Sequence, residues 1–113
     1  MIAYPLRFTV SARSPAGIAT AWETAVPGRT PVPAAIPPEF GGPGGGYSPE
    51  DFYALAVLNC FAATFKVIAE KSKLDYRGLE LAGELTVDRD EKGSPWMSHF
   101  SLRAKLSGAV DPE

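Results

Sequence analysis

The sequence predicts an α+β fold, and three observations predict it. Apolar residues alternate with polar ones near the N-terminus, at Leu6, Phe8 and Val10, and again between Leu79 and Leu106. One long apolar segment, Phe52 to Phe65, lies between these stretches behind a set of helix-start residues. A proline- and glycine-rich stretch at 27–47 precedes it and reads as a long loop. With 113 residues, the expectation is one domain, 1–113, able to form a core but not a second domain.

The elements follow in order. In the first strand Leu6, Phe8 and Val10 alternate with Arg7, Thr9 and Ser11. Ser14-Pro15-Ala16-Gly17 is a turn signal. Ile18, Thr20, Trp22 and Thr24 share one face of a second strand, giving a hairpin. Of the 11 glycines and 11 prolines, thirteen fall between Pro27 and Pro49. Pro31, Pro33, Pro37 and Pro38 lack backbone donors, so no central strand is expected there. Gly41, Gly42, Gly44, Gly45 and Gly46 are expected to loosen the chain, while Val32, Ile36 and Phe40 could pin it to a surface. Ser48 then reads as an N-cap, Pro49 as the first helical residue, and Glu50 and Asp51 as first-turn acids. A helix over 48–73, roughly 39 Å long, is expected to be buried on most sides. Two more strands read as a hairpin across the connection Arg89 to Pro95. Leu79, Leu81, Leu85 and Val87 form one face of the first, and Trp96, Ser98, Phe100, Leu102, Ala104 and Leu106 one face of the second. Their polar faces, acidic on one strand and basic on the other, could pair. Asp111-Pro112-Glu113 repeats the pattern of Ser48-Pro49-Glu50, so the chain is expected to be a truncated module that stops where a second helix should start.

Composition removes several functional classes. A net charge of -2 and a pI near 5.4 give no electrostatic case for nucleic acid or an anionic membrane surface. The run Phe52–Phe65 falls short of the roughly 20 residues that span a bilayer. The start Met1-Ile2-Ala3-Tyr4-Pro5 lacks a signal peptide's basic segment and apolar core. A single cysteine excludes an internal disulfide framework and a multi-cysteine zinc site. The expected setting is reducing and cytoplasmic.

Few residues offer chemistry. Cys60 is the only thiol, about three turns into the helix. It is either a packed small hydrophobe or a reactive thiol, and the latter needs a nearby cation or metal. The helix start is too far to supply the field. Arg13 and Arg29, on the turn and loop before the helix, are the candidate cations; each otherwise reads as a solvated charge. Glu50 and Asp51 by default serve the helix dipole, and His99 sits alone on a polar strand face. The glycine run lacks the Gly-Lys-Ser/Thr ending of a phosphate loop, and Pro43 and Pro49 remove donors. No serine lies in a nucleophile-elbow pattern.

The stretch Gly41 to Phe65, GGPGGGYSPEDFYALAVLNCFAATF, resembles the OsmC/Ohr family of osmotically inducible and organic hydroperoxide resistance proteins. The resemblance rests on the Gly-rich loop, Ser48-Pro49-Glu50, Cys60-Phe61 and the ten-residue separation of Glu50 and Cys60. It implies an OsmC-like fold, an antiparallel sheet wrapped around a long central helix in an intertwined dimer. It also implies a thiol peroxidase with Cys60 as peroxidatic cysteine and Glu50 as the acid that holds an arginine. Arg13 matches that arginine best, with Arg29 as the alternative. Arginine stays charged, lowers the thiol pKa and polarises the peroxide. Phe40, Phe52, Phe61 and Trp96 could supply an apolar wall suited to an organic hydroperoxide.

The family's second, resolving cysteine and second central helix have no counterpart here, so recycling requires an external thiol reductant or another chain. The expected chemistry calls for no cofactor and no metal. Glu50 and Cys60, ten residues apart, lie roughly 15 Å apart along a straight helix. Either the helix starts after Glu50 or the two groups meet from different subunits. Together with the apolar helix, this leads to an expected homodimer. The rival expectation is a noncatalytic apolar-ligand binding or dimerisation module in which Cys60 is merely packed.

Overall fold

A computed structural model describes residues 2–109. The elements run β1 (Ser11–Arg13), β2 (Trp22–Ala25), β3 (Val32–Ala34), a short 3-10 turn (Pro38–Phe40), α1 (Pro49–Lys71), β4 (Gly78–Arg89) and β5 (Pro95–Ser107). They fall into two compact units, residues 1–51 and 52–113. The α+β class and the order of elements agree with the sequence; several boundaries do not. The Asp111-Pro112-Glu113 signal lies outside the described residues.

The first unit carries a three-stranded antiparallel sheet in the order β1-β2-β3. The expected first strand over Leu6–Val10 does not form: β1 begins at Ser11, and Leu6, Phe8 and Val10 are 52%, 88% and 74% exposed. Alternation makes a strand only where another backbone accepts its donors, and β2 ends at Ala25, opposite Ser11, where the chain turns away between Val26 and Arg29. The turn before β2 is longer than expected because Thr20 closes it, bonding through its amide to Gly17 O and through its hydroxyl to the carbonyls of Ala16 and Gly17.

The proline-rich stretch, where no central strand is expected, contains a short edge strand. Val32, Pro33 and Ala34 pair with Thr24, Glu23 and Trp22 of β2. Proline is tolerated because β3 lies at the sheet edge. On its outer side the Tyr47 amide donates to Pro33 O and the Ala35 amide to Tyr47 O. The glycines between are not loose. The Gly42 amide donates to Pro37 O and the Gly44 amide to Ile36 O, and Gly41, Gly44 and Gly45 adopt left-handed backbone. A side chain at position 42 would run into the Ile36 carbonyl. Ala34 and Ala35 are almost completely buried beneath this folded-back loop.

α1 starts where the sequence places it and ends two residues early. At its C-terminus Lys73 takes a left-handed conformation, its amide donates to Glu70 O, and the Leu74 amide donates to Ala69 O. These bonds satisfy carbonyls of the last turn. The expectation of burial on most sides fails for the chain alone. Among the described helix residues only Ala69 is buried, while Tyr53, Leu55, Phe61, Val67 and Ile68 stay between 41% and 58% exposed. The helix has 23 residues and a mean hydropathy of 1.7 over its best 18-residue stretch, enough in length and composition to cross a bilayer. The apolar run Phe52–Phe65 alone suggested otherwise, because it omits the helix's flanking turns.

In the second unit β4 and β5 form a two-stranded antiparallel ribbon. Leu79, Leu81, Gly83 and Leu85 oppose Leu106, Ala104, Leu102 and Phe100, giving one apolar face. Glu80 opposes Lys105 on the other face. α1 packs on the apolar face: a Cβ added at Gly83 would lie 2.9 Å from Phe100 Cζ and 3.2 Å from Leu58 Cδ1. The Phe65 and Tyr76 rings meet edge-on at 5.2 Å.

A bulge breaks the expected alternation of β5. Thr86 pairs with His99 but Val87 with Met97, leaving Ser98 as the extra residue. Ser98 Oγ lies 3.1 Å from His99 Nδ1 and donates to Thr86 O, as adjacent side chains on one face would. Past the bulge, Trp96 pairs with Asp88 and so shares the face of Thr86 and His99, not that of Phe100 and Leu102.

The folded-back loop gives a direct expectation for amide exchange. The amides of Ala35, Gly42, Gly44 and Tyr47 should exchange far more slowly than a flexible Gly/Pro linker would, measured residue by residue by NMR. Uniformly fast exchange from Pro33 to Tyr47 would contradict the loop's hydrogen bonding.

Candidate active site

The first turn of α1 is built by reciprocal bonds. The Asp51 amide donates to Ser48 Oγ at 3.0 Å, and the Ser48 amide donates to Asp51 Oδ2 at 3.0 Å. This is the capping-box geometry, with Asp in the place more often held by Glu or Gln. Ser48 is 6% exposed, the most buried polar residue described. Its neighbour Tyr47 donates its amide to Pro33 O and accepts from the Ala35 amide, so the strand, the loop and the helix start form one connected piece.

The two adjacent acids therefore differ. Asp51 is exposed and its carboxylate is engaged in the cap. Glu50 is half-buried, and its Oε1 is shielded from solvent without a hydrogen-bond partner. A shielded carboxylate oxygen without a donor is costly, because desolvation is not offset by any bond. The sequence alone did not separate these carboxylates; the capping-box spacing of Ser48 and Asp51 was the available signal.

Cys60 lies ten residues further along α1, and its thiol is exposed. It is not a buried small hydrophobe within this chain. Since α1 begins at Pro49, Glu50 belongs to the helix. A ten-residue helical separation places the two groups about 15 Å apart along the axis and about 80° apart around it. The alternative in which the helix starts after Glu50 is removed.

The remaining site residues are dispersed. Arg13 ends β1 opposite Glu23 of β2 and is exposed. Arg29 is exposed in the turn that its own amide closes on Val26 O. Phe52 and Phe61 share α1 with Cys60; Phe52 is half-buried and Phe61 is 41% exposed. Phe40 ends the 3-10 turn at 47% exposure, and Trp96 stands at the start of β5 at 52% exposure. His99 is exposed, as a lone surface histidine should be. Among the described residues no group of three or more His, Cys, Asp or Glu side chains is placed to hold a metal ion.

The family match and the similar solved structures agree with each other. Residues 42–113 match the OsmC-like protein family, a span that takes in the glycine loop, α1 and the β4–β5 ribbon. An OsmC-like protein of unknown function from Vibrio cholerae has a similar structure, with a TM-score of 0.81 at 16% identity over 96% of this chain and 80% of that one. An organic hydroperoxide resistance protein OsmC from Legionella pneumophila gives a TM-score of 0.75 at 22% identity, over 94% of this chain and 74% of that one. No curated protein matches the sequence.

Proposed function

The chain belongs to the OsmC-like family, and on that footing we propose that it is a thiol-dependent peroxidase that reduces organic hydroperoxides at Cys60. The observation that carries this reading is Glu50 Oε1, a shielded acceptor without a donor. A guanidinium is the donor best matched to it, since it stays charged and presents paired N–H groups. The same cation beside a thiol favours the thiolate and polarises a peroxide. The exposed Cys60 thiol is accessible to a substrate. The similar Legionella pneumophila protein, an organic hydroperoxide resistance protein, supports the substrate class.

The reaction balances without a cofactor. The Cys60 thiolate attacks the terminal oxygen of the hydroperoxide and the O–O bond breaks. The alkoxide leaves and takes a proton to become an alcohol, while the cysteine becomes a sulfenic acid. An external thiol condenses with the sulfenic acid, releasing water and forming a mixed disulfide. A second thiol then releases Cys60 and leaves as the oxidised partner. The setting is a reducing one, consistent with the cytoplasm. Phe61, beside Cys60 in the chain, and Phe52 provide the apolar wall, with Phe40 and Trp96 as further candidates from a second copy.

The site is assembled from two copies of the chain. With Glu50 and Cys60 about 15 Å apart on one helix, one guanidinium cannot bond both. A twofold dimer brings Cys60 of one copy to Glu50 and an arginine of the other, Arg13 or alternatively Arg29. The same dimer covers the exposed apolar face of α1.

Two outcomes follow. Cys60→Ser should abolish hydroperoxide consumption while leaving the circular dichroism and melting temperature close to those of the parent, because the side chain is exposed. Equal turnover by the variant would remove the peroxidase reading. Sedimentation in detergent-free buffer should show a dimer, stable at micromolar concentration, with an interface burying more than roughly 2,000 Å² in total. A stable folded monomer would contradict the two-copy site, and a chain recovered only in detergent would assign α1 to a bilayer instead.

A further inference from the structure

The capping box does more than start the helix. Ser48 and Asp51 are joined by two bonds of 3.0 Å, and Glu50 is the residue immediately before Asp51 in the same turn. A helical turn pinned at both Ser48 and Asp51 fixes the direction in which the intervening Glu50 Cα–Cβ bond points. In that direction Oε1 is withdrawn from water and left without a partner. A mobile first turn would let a glutamate side chain rotate to solvent, since that removes the cost of a shielded, unpaired oxygen. The turn is further held from the other side. The Tyr47 amide donates to Pro33 O, Tyr47 O accepts from the Ala35 amide, and Ser48 itself is 6% exposed.

From these contacts we infer that Asp51 is a positioning residue: by its bond to the Ser48 amide it holds Glu50 in the orientation that receives the guanidinium. The inference rests on the peroxidase reading for its kinetic consequence, but not for its structural one. Asp51 acts through Glu50, because its own carboxylate is engaged by the cap. The glycine-rich loop takes a part in this arrangement. The close approach at Gly42 and the left-handed backbone at Gly41, Gly44 and Gly45 let the chain double back so that Tyr47 reaches β3. The loop is therefore the support of the helix start.

The test uses Asp51→Ala, which removes the acceptor, and Asp51→Asn, whose amide oxygen can still accept from the Ser48 amide. Asp51→Leu serves as the second variant if Asp51→Ala does not fold, because it also removes the acceptor and puts a good helix former at an exposed position. In the full-length protein, kcat/KM for cumene hydroperoxide should fall about tenfold in Asp51→Ala, consistent with a loss of roughly 1.4 kcal/mol. It should recover to within about threefold of the parent in Asp51→Asn. Side-chain couplings measured by NMR should show one Glu50 χ1 rotamer in the parent and Asp51→Asn, and averaging in Asp51→Ala and Asp51→Leu. The couplings do not depend on activity. An inactive parent protein would therefore overturn the peroxidase reading, while the rotamer result would still decide the role of Asp51. An unchanged Glu50 rotamer in Asp51→Ala, or an Asp51→Asn variant as impaired as Asp51→Ala, would overturn the inference.

Discussion

The organisation of this protein depends on one constraint: α1 is a long apolar helix that its own chain leaves largely uncovered. Tyr53, Leu55, Phe61, Val67 and Ile68 each keep between 41% and 58% of their surface exposed, and no large side chain among the described residues is fully buried. Full burial of one such side chain is worth about 1.5–3 kcal/mol. Completing the burial of five half-exposed ones therefore amounts to several kcal/mol, a large part of the roughly 5–15 kcal/mol by which a domain is stable. Whatever covers α1 decides whether the fold is secure. The β4–β5 ribbon meets the helix at Leu58, Gly83 and Phe100, but two strands present only one face.

The helix start meets a different requirement. There the backbone is over-determined: β3, Tyr47, the folded-back glycines, Ser48 and Asp51 are joined by a continuous set of hydrogen bonds. The two ends of the proposed chemistry thus have different characters. Glu50 sits in a rigid, pre-organised piece, whereas Cys60 lies on an exposed stretch of helix. Electrostatic activation of a thiol depends on fixed charges that need not reorganise during reaction, and a rigid carboxylate is the better anchor for an arginine. Asp51 and Glu50, adjacent and chemically alike, sit in different surroundings: one carboxylate is bonded in the cap and the other has a shielded oxygen without a partner.

Much of this was legible in the residues, and the failures have physical causes. Ser48-Pro49-Glu50 marked the start of α1 to the residue, because a cap, an N1 proline and first-turn acids report local backbone geometry. The β4–β5 hairpin was equally legible through its alternation and its Asp90–Ser94 connection, in which Asp90 Oδ1 accepts from the amides of Lys92 and Ser94. The OsmC-like membership followed from the joint pattern around Cys60. What failed were features set by long-range partners. Leu6, Phe8 and Val10 alternate but find no backbone alongside. Val32-Pro33-Ala34 became a strand because β2 and Tyr47 flank it, which no local signal reveals. The bulge at Ser98 turned Trp96 onto the polar face without any glycine to announce it. Of the candidate site, the motif offers Cys60 and Glu50, while the exposure of the thiol and the shielded, unpartnered Glu50 Oε1 come from the structure alone. The motif leaves the choice between Arg13 and Arg29 open, because both lie far from α1 in sequence.

In the proposed peroxidase these parts meet in one arrangement, with each site combining Cys60 of one copy and Glu50 of another. Mixed dimers test it most directly. Cys60→Ser and Glu50→Gln chains, each separately inactive, would be unfolded and refolded together and assayed for hydroperoxide consumption. If the site spans two copies, a mixed dimer holds one doubly defective site and one intact site, so it should recover about half the activity of a parent dimer. If each site lies within one chain, both sites of the mixed dimer carry a defect. The refolded mixture would then be no more active than its components, and the two-copy site would be wrong.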